Sequence, residues 1–204
     1  SGGVHGANRL GGNGVANSTV FGGVAGETMA AWVRSAPHAG EPDRDAVEAA
    51  VAACRHPFDQ PPGDLGEIRE SLWDLMWTDV GILRDATGLA RARERLGELD
   101  AQLDRTGVDG SDLRFNLTWH DWLNLKSLVL VSRAITEAAA AREDSCGAHF
   151  REDHPERGPP ERSAYTRLSL ADGRFRVASA PVEFTRVRPG ESLLTDDRKQ
   201  EEKT

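Results

Sequence analysis

A glycine-rich segment near the start of the sequence could bring backbone N–H groups against a ligand. Glycines occupy positions 11, 12 and 14, and small and apolar residues recur at near-helical spacing from about Gly14 to Val33. Glycine lets the backbone approach a ligand closely, and a helix beginning at Asn13 or Gly14 directs unsatisfied N–H groups at whatever lies before it. Such a site suits an anion or a polarised carbonyl. A tight turn has the same composition, so the pattern alone leaves both interpretations open.

The composition is that of a globular protein with an acidic surface. Of 204 residues, 38% are hydrophobic and 28% charged, and the net charge is −8. Phosphate backbones would repel this charge, so we expect no nucleic-acid partner. Apolar runs such as Leu128 to Val131 are far shorter than the roughly 20 residues that cross a bilayer, so we expect no direct membrane span. The distant Cys54 and Cys146 indicate two independent thiols and a cytoplasmic location.

Proline, glycine and apolar periodicity divide the chain into five predicted parts. In chain order these are a glycine-rich loop with a buried helix at 1–36, a linker with a short helix at 37–62, a helical domain at 63–157, a loop with a β hairpin at 158–190 and a disordered tail at 191–204. The predicted fold class is therefore mainly α, with a small helical bundle and a C-terminal β hairpin.

Three predicted helices form the bundle, and apolar residues at steps of three and four mark their inner faces. The expected inward residues are Ile68, Leu72, Leu75, Met76, Val80 and Leu83 on the first helix, Leu89, Ala92, Leu96, Leu99 and Leu103 on the second, and Trp122, Leu125, Leu128, Ser132 and Ile135 on the third. Thr118 with Asp121 resembles a capping box at the start of the third helix. Helical spacing also favours core or inter-helix positions for Trp73, Trp77, Trp119 and Trp122.

Several segments resemble one enzyme family in the family's own order. The run HGANRLGGN at residues 5–13 closely resembles a signature of the succinate dehydrogenase and fumarate reductase flavoprotein family. The run AREDSCGAHFREDHP, which includes Arg142 to Pro155, is similar to a second block of that family. Shorter similarities to the same family lie between these two runs and after the second. They are LMW, VGI and RD within residues 75–85, FN and WL within 115–123, and PV and FTR within 181–186.

The resemblance implies the C-terminal portion of an FAD-dependent oxidoreductase. Residues 1–36 are then a remnant of an FAD-binding α/β domain, because the GxGxxG fingerprint and a capping domain have no counterpart in the sequence. Either a truncation or a separate polypeptide accounts for this, and we favour truncation. The implied activity is hydride transfer between FAD and a dicarboxylate such as succinate or fumarate. The isolated chain is expected to be inactive.

The family signature implies roles for residues of the first segment. Arg9 matches a substrate-binding arginine, whose planar fork suits a carboxylate. His5 either contacts the ligand or flavin edge or hydrogen-bonds the loop backbone. The expected flavin contacts are backbone N–H groups at the start of the helix, and the residues concerned are Gly12, Asn13, Gly14 and Val15. Asn13 is also expected to brace the turn, since asparagine caps helices.

The second block departs from the family at two positions. Cys146 stands where arginine is usual and Asp144 where glutamate is usual, so the architecture or substrate of this region can differ. His149 and Arg151 match the block. The implied partners are the remaining flavoprotein domains, a dicarboxylate and an iron–sulfur subunit, which would place the protein at the inner face of a membrane. An alternative function is a non-catalytic helical module that docks on redox partners.

Overall fold

The computed structural model describes residues 11–36 and 40–191, and in this part of the chain most elements are helical. The helices are α1 (Asn13–Ser35), α2 (Arg44–Arg55), α3 (Leu65–Asp79), α4 (Ala86–Asp104) and α5 (Leu117–Ala140), with short 3₁₀ turns at His56–Asp59 and Pro160–Arg162. The strands are β1 (Leu83–Arg84), β2 (Phe150–Arg151), β3 (Ala164–Ala171) and β4 (Arg174–Pro181). The predicted mainly α class with a C-terminal hairpin is confirmed.

Helices α3, α4 and α5 pack into the bundle that holds the core. Each begins at a capping side chain, because Asp64, Asp85 and Asn116 accept hydrogen bonds from the backbone N–H three residues later. The leucine stripe predicted for the second helix is buried throughout α4. Its neighbours in the main cluster come from α3, α5 and the α4–α5 connection and are Leu65, Ile68, Leu72, Val108, Trp122, Leu125 and Val129.

The inner face of α5 differs from the prediction in its second half. Leu128 and Ile135 are each 42% exposed, whereas Val129 and Thr136 are fully buried. Leu128 lies three residues after Leu125 and Val129 lies four residues after it, so both match a helical period. Packing against α4 buries Val129. The cap also differs, since Asn116 rather than Thr118 precedes the first turn.

Further corrections concern α3 and its exit. Ile68 and Leu72 are buried as expected, but the helix ends at Asp79, so Leu83 lies on β1 and is exposed. Trp122 is a core residue, and Trp119 packs against the core at its edge. Trp73 and Trp77 are instead exposed, Trp77 to 85%. No described element covers this face of α3, so these two side chains do not act as core anchors within the chain.

Helix α1 forms as expected but is not buried. Its apolar side chains are all largely exposed, Val15 to 76%, and no residue of the helix is buried. The prediction of a buried helix is therefore wrong for the described part of the chain. The physical reason is that no other described element supplies a covering layer for this apolar helix.

Two small sheets complete the fold. Strands β3 and β4 pair antiparallel, with Ala164 opposite Pro181 and Ala171 opposite Arg174. Asp172 and Gly173 form the tight turn with φ values of 53° and 69°, which suit the twist of a two-residue hairpin. Strand β4 ends at Pro181, well before the end of the predicted hairpin region at residue 190. Strands β1 and β2 pair in parallel and attach the segment after α5 to the exit of α3.

Candidate functional site

The first turn of α1 contains the predicted flavin-contacting residues. Asn13 is the first helical residue, and Gly12 occupies the cap position with φ 81° and ψ −37°, a left-handed backbone that suits glycine. The prediction that Asn13 caps the helix is therefore wrong. Among the described residues no side chain caps this end, and the first turn contains no acidic residue. No described side chain therefore competes with a polarised oxygen for the terminal N–H groups.

The two predicted catalytic residues cannot be placed relative to this helix end. His5 and Arg9 both lie outside the described residues. Gly12, Gly14 and Val15 are brought together by the first turn itself. The described part of the site is therefore a backbone surface at the start of α1.

A second group of polar residues surrounds β1 and β2. The Nη1 of Arg84 donates a hydrogen bond to Nδ1 of His149 at 2.8 Å, and its Nε donates to the carbonyls of Val80 and Gly81. The other ring nitrogen, Nε2, lies 3.2 Å from the carbonyl oxygen of Arg142. Because a guanidinium only donates, Nδ1 must accept and Nε2 must carry the proton. His149 is therefore held as a neutral imidazole in one tautomer.

The environment of His149 favours this neutral form. Burial lowers the pKa of His149, and the positive charges of Arg84 and Arg142 lower it further. The hydrogen bond to the Arg142 carbonyl and the charge of Asp144 act in the opposite direction. Burial also lowers the pKa of Arg84, but a guanidinium remains charged at any physiological pH.

Arg151 has a structural role in the same region. Its side chain is 3% exposed, and Nε and Nη2 donate to the two carboxylate oxygens of Asp153 at 2.7 and 2.8 Å. Its Nη1 donates to three carbonyls at the end of α5, those of Ala139, Ala140 and Arg142, at 3.1 to 3.3 Å. The carbonyls of Ala139 and Ala140 belong to the last turn of α5, where carbonyls lack intrahelical partners.

Asp153 connects this arginine to the start of α4. Its Oδ2 accepts a hydrogen bond from the backbone N–H of Ala86 at 2.9 Å. The hydrogen bonds from Arg151 hold the pKa of Asp153 far below its usual range. The pair therefore joins the end of α5 to the start of α4. Neither Asp153 nor Arg84 was predicted to have a role, although both lie within segments that resemble the family.

Cys146 and Asp144 lie beside a cleft. Cys146 and His149 flank a tight turn and exchange backbone hydrogen bonds at 2.8 and 3.2 Å, and the Cys146 thiol is free. Asp144 accepts a hydrogen bond from Nε of Arg142 at 2.6 Å. The cleft has a volume of about 480 Å³, lies between the end of α5 and the hairpin, and is lined by both residues together with Arg157.

Residues 11–36 and 40–191 contain neither a candidate metal cluster nor a candidate membrane-spanning helix. In these two ranges no three side chains of histidine, cysteine, aspartate or glutamate type gather in an arrangement suited to a metal ion. Over the same ranges, no helix combines the length and apolar character required to span a bilayer.

Comparison with known proteins identifies the family. Residues 69–194 match the family described as Fumarate reductase flavoprotein C-term. An uncharacterized FAD-dependent oxidoreductase of Methanocaldococcus jannaschii is 35% identical over 158 residues, covering 76% of this chain and 28% of that protein. The 8-methylmenaquinol:fumarate reductase flavoprotein subunit of Wolinella succinogenes is 30% identical over 189 residues, covering 91% of this chain and 31% of that protein.

The fold comparison agrees with the sequence comparison. The solved structure of the Mycobacterium smegmatis Sdh1 complex in the apo form matches with a TM-score of 0.79 and 32% identity, covering 89% of this chain and 31% of that chain. The chain spans less than a third of the length of these relatives. The chain belongs to the succinate dehydrogenase and fumarate reductase flavoprotein family.

Proposed function

We propose that this chain is the C-terminal part of an FAD-dependent oxidoreductase that transfers hydride between flavin and a dicarboxylate. In this proposal residues 1–36 complete the FAD-binding domain, 37–62 link it to the helical domain at 63–157, and 158–190 form the hairpin region. Bound FAD would supply the hydride chemistry. The chain itself would supply groups that bind and orient the flavin and the substrate.

The observation that carries the proposal is the start of α1, which no described side chain caps. Gly12 keeps the cap position free of a side chain, and no acidic residue occupies the first turn to compete for the helix end. Backbone N–H groups of Gly14 and Val15 would donate to a flavin oxygen, and Asn13 would line the same surface. Because reduced flavin gathers negative charge, the positive helix end would stabilise it by roughly 0.3 to 2 kcal/mol. The described residues therefore fit a flavin carbonyl.

Arg9 would bind the substrate in this arrangement. It precedes the cap by three positions, so the chain would hold its guanidinium close to the flavin-facing helix end. Two parallel N–H donors would grip a substrate carboxylate and orient the carbon that exchanges hydride. His5 would lie in the same loop, either against the ligand or flavin edge or hydrogen-bonded to the backbone.

The exposed apolar surfaces support a larger assembly. Helix α1 is apolar and uncovered, so the remaining flavoprotein domains would provide its covering layer. An iron–sulfur subunit would accept or supply the electrons, and through such subunits the protein would sit at the cytoplasmic face of a membrane.

The test is an arginine exchange in the complete flavoprotein. Arg9→Ala is expected to lower succinate or fumarate turnover by at least about a hundredfold, because the substrate loses its orienting fork. Visible absorbance should show that flavin content changes little. Arg9→Lys keeps the charge but not the fork, so it should restore only part of the turnover.

A matched control lies on α1. Arg34, in the last turn of α1, is exposed, and Arg34→Ala should leave turnover unchanged. Normal kinetics in the Arg9→Ala enzyme would exclude the assigned role of Arg9. Loss of flavin together with activity would assign Arg9 to cofactor binding instead.

A further inference from the structure

His149 joins two segments of the chain through both nitrogens of its ring. Nδ1 accepts a hydrogen bond from Arg84 on β1 at 2.8 Å, and Nε2 donates to the carbonyl of Arg142, which follows α5. Arg84 and His149 are 65 residues apart in sequence. The imidazole therefore lies where the segment after α5 is attached to the exit of α3.

Backbone hydrogen bonds form directly beside this ring. The N–H of Phe150 donates to the carbonyl of Ile82 at 3.2 Å, and the N–H of Glu152 donates to the carbonyl of Arg84 at 2.7 Å. Both bonds flank the two residue pairs of the short β1–β2 ladder. Because the ladder is only two residues long, its stability depends on the side chains at its ends. The His149 contact is adjacent to Phe150 and shares Arg84 with the ladder.

The contact requires an unprotonated Nδ1. A guanidinium has five donors and no acceptor, so the Arg84 bond exists only while Nδ1 offers a lone pair. A proton at Nδ1 would set two donors against each other at 2.8 Å and add a cation beside Arg84 and Arg142. Among the residues that the structure describes, the acidic group acting on the ring is Asp144, whose carboxylate is already bound by Arg142 at 2.6 Å.

We propose that His149 is a pH-sensitive lock that fastens segment 142–151 to β1 while its ring is neutral and releases the segment when Nδ1 takes up one proton. No covalent bond changes, and the proton comes from solvent. The pKa of His149 is depressed in the folded chain, so the attachment is complete above the ordinary histidine value of about 6.5. As the pH falls below that value, the unfolded or detached form binds the proton more readily and the attachment weakens. The inference does not depend on flavin binding.

Hydrogen exchange of two amides tests the lock in the intact chain. Protection factors of Phe150 and Glu152, corrected for intrinsic exchange at each pH, should be constant from pH 8 to about 6.5. Below this they should fall about tenfold for each pH unit between the ordinary histidine pKa and that of folded His149. Amides of the β3–β4 hairpin should keep their protection, which separates local release from global acid unfolding.

The decisive variant is His149→Gln. Its amide oxygen can accept from Arg84 and its amide nitrogen can donate to the Arg142 carbonyl, yet it does not titrate. Protection of Phe150 in this variant should therefore be independent of pH. His120→Gln is the matched control, because His120 is exposed on α5, and it should behave like the unmodified chain.

Three results would overturn the proposal. The first is a Phe150 protection factor that does not change with pH in the unmodified chain. The second is a loss of Phe150 protection at low pH in the His149→Gln variant that equals the loss in the unmodified chain. The third is a loss of protection in the β3–β4 hairpin that equals the loss at Phe150. Nitrogen chemical shifts of the His149 ring in the unmodified chain give a test that needs no variant. The ring should carry its proton on Nε2 at pH 7 and become doubly protonated only at the acid end of the range over which Phe150 protection falls. Double protonation without loss of protection contradicts the lock.

Discussion

Replacement of Arg151 by methionine should strongly destabilise the chain. The guanidinium donates to the carbonyls of Ala139, Ala140 and Arg142 and to both oxygens of Asp153. Methionine keeps much of the side-chain volume but provides no donor. Each lost hydrogen bond costs about 1 kcal/mol, so the three carbonyls alone give a loss of roughly 3 kcal/mol.

Urea unfolding measures this loss. With a denaturant dependence of about 2 kcal/mol per molar urea, the midpoint in Arg151→Met should fall by about 1.5 M, followed by tryptophan fluorescence and far-UV circular dichroism. The matched control is Arg176→Met, since the side chain of Arg176 is 70% exposed and its nitrogen lies 3.9 Å from the Asp172 carboxylate. An exposed pair contributes at most about 1 kcal/mol, so its midpoint should move by less than about 0.5 M. Equal shifts in the two variants would refute the assigned role of Arg151.

Two further changes test the bundle by the same unfolding assay. Leu99→Ala should cost about 2 to 5 kcal/mol because Leu99 is fully buried, whereas Leu130→Ala on the exposed side of α5 should cost less than about 1 kcal/mol; similar losses would contradict the core assignment. Asn116→Ala removes the oxygen that caps α5 through the N–H of Trp119 at 2.9 Å and should cost at least about 1 kcal/mol, while Asn116→Asp should recover only part of this, because it keeps the capping oxygen but loses the Nδ2 donor to the carbonyls of Asp109 and Asp112.

The chemistry of the second polar group could be predicted only in part. The resemblance drew attention to residues 142–155, and it identified His149 and Arg151 as matching residues. It did not indicate that His149 accepts a hydrogen bond from Arg84 or that Arg151 donates hydrogen bonds to carbonyls at the end of α5. These contacts link positions distant in sequence, and neither residue type specifies its partner. Hydrogen-bonding partners of this kind follow from how the helices pack.

Local sequence signals determined the helices, the hairpin turn and the α4 stripe. Both kinds of signal act over a few residues. Apolar residues recur every three to four positions along a helix, and the positive φ values at Asp172 and Gly173 are ones that only a few residue types adopt readily. Tertiary structure alone decided which of two equally periodic faces of α5 is buried, and it selected Val129 over Leu128. It also decided that α1 and Trp77 remain exposed, because an apolar residue is buried only where another element lies against it.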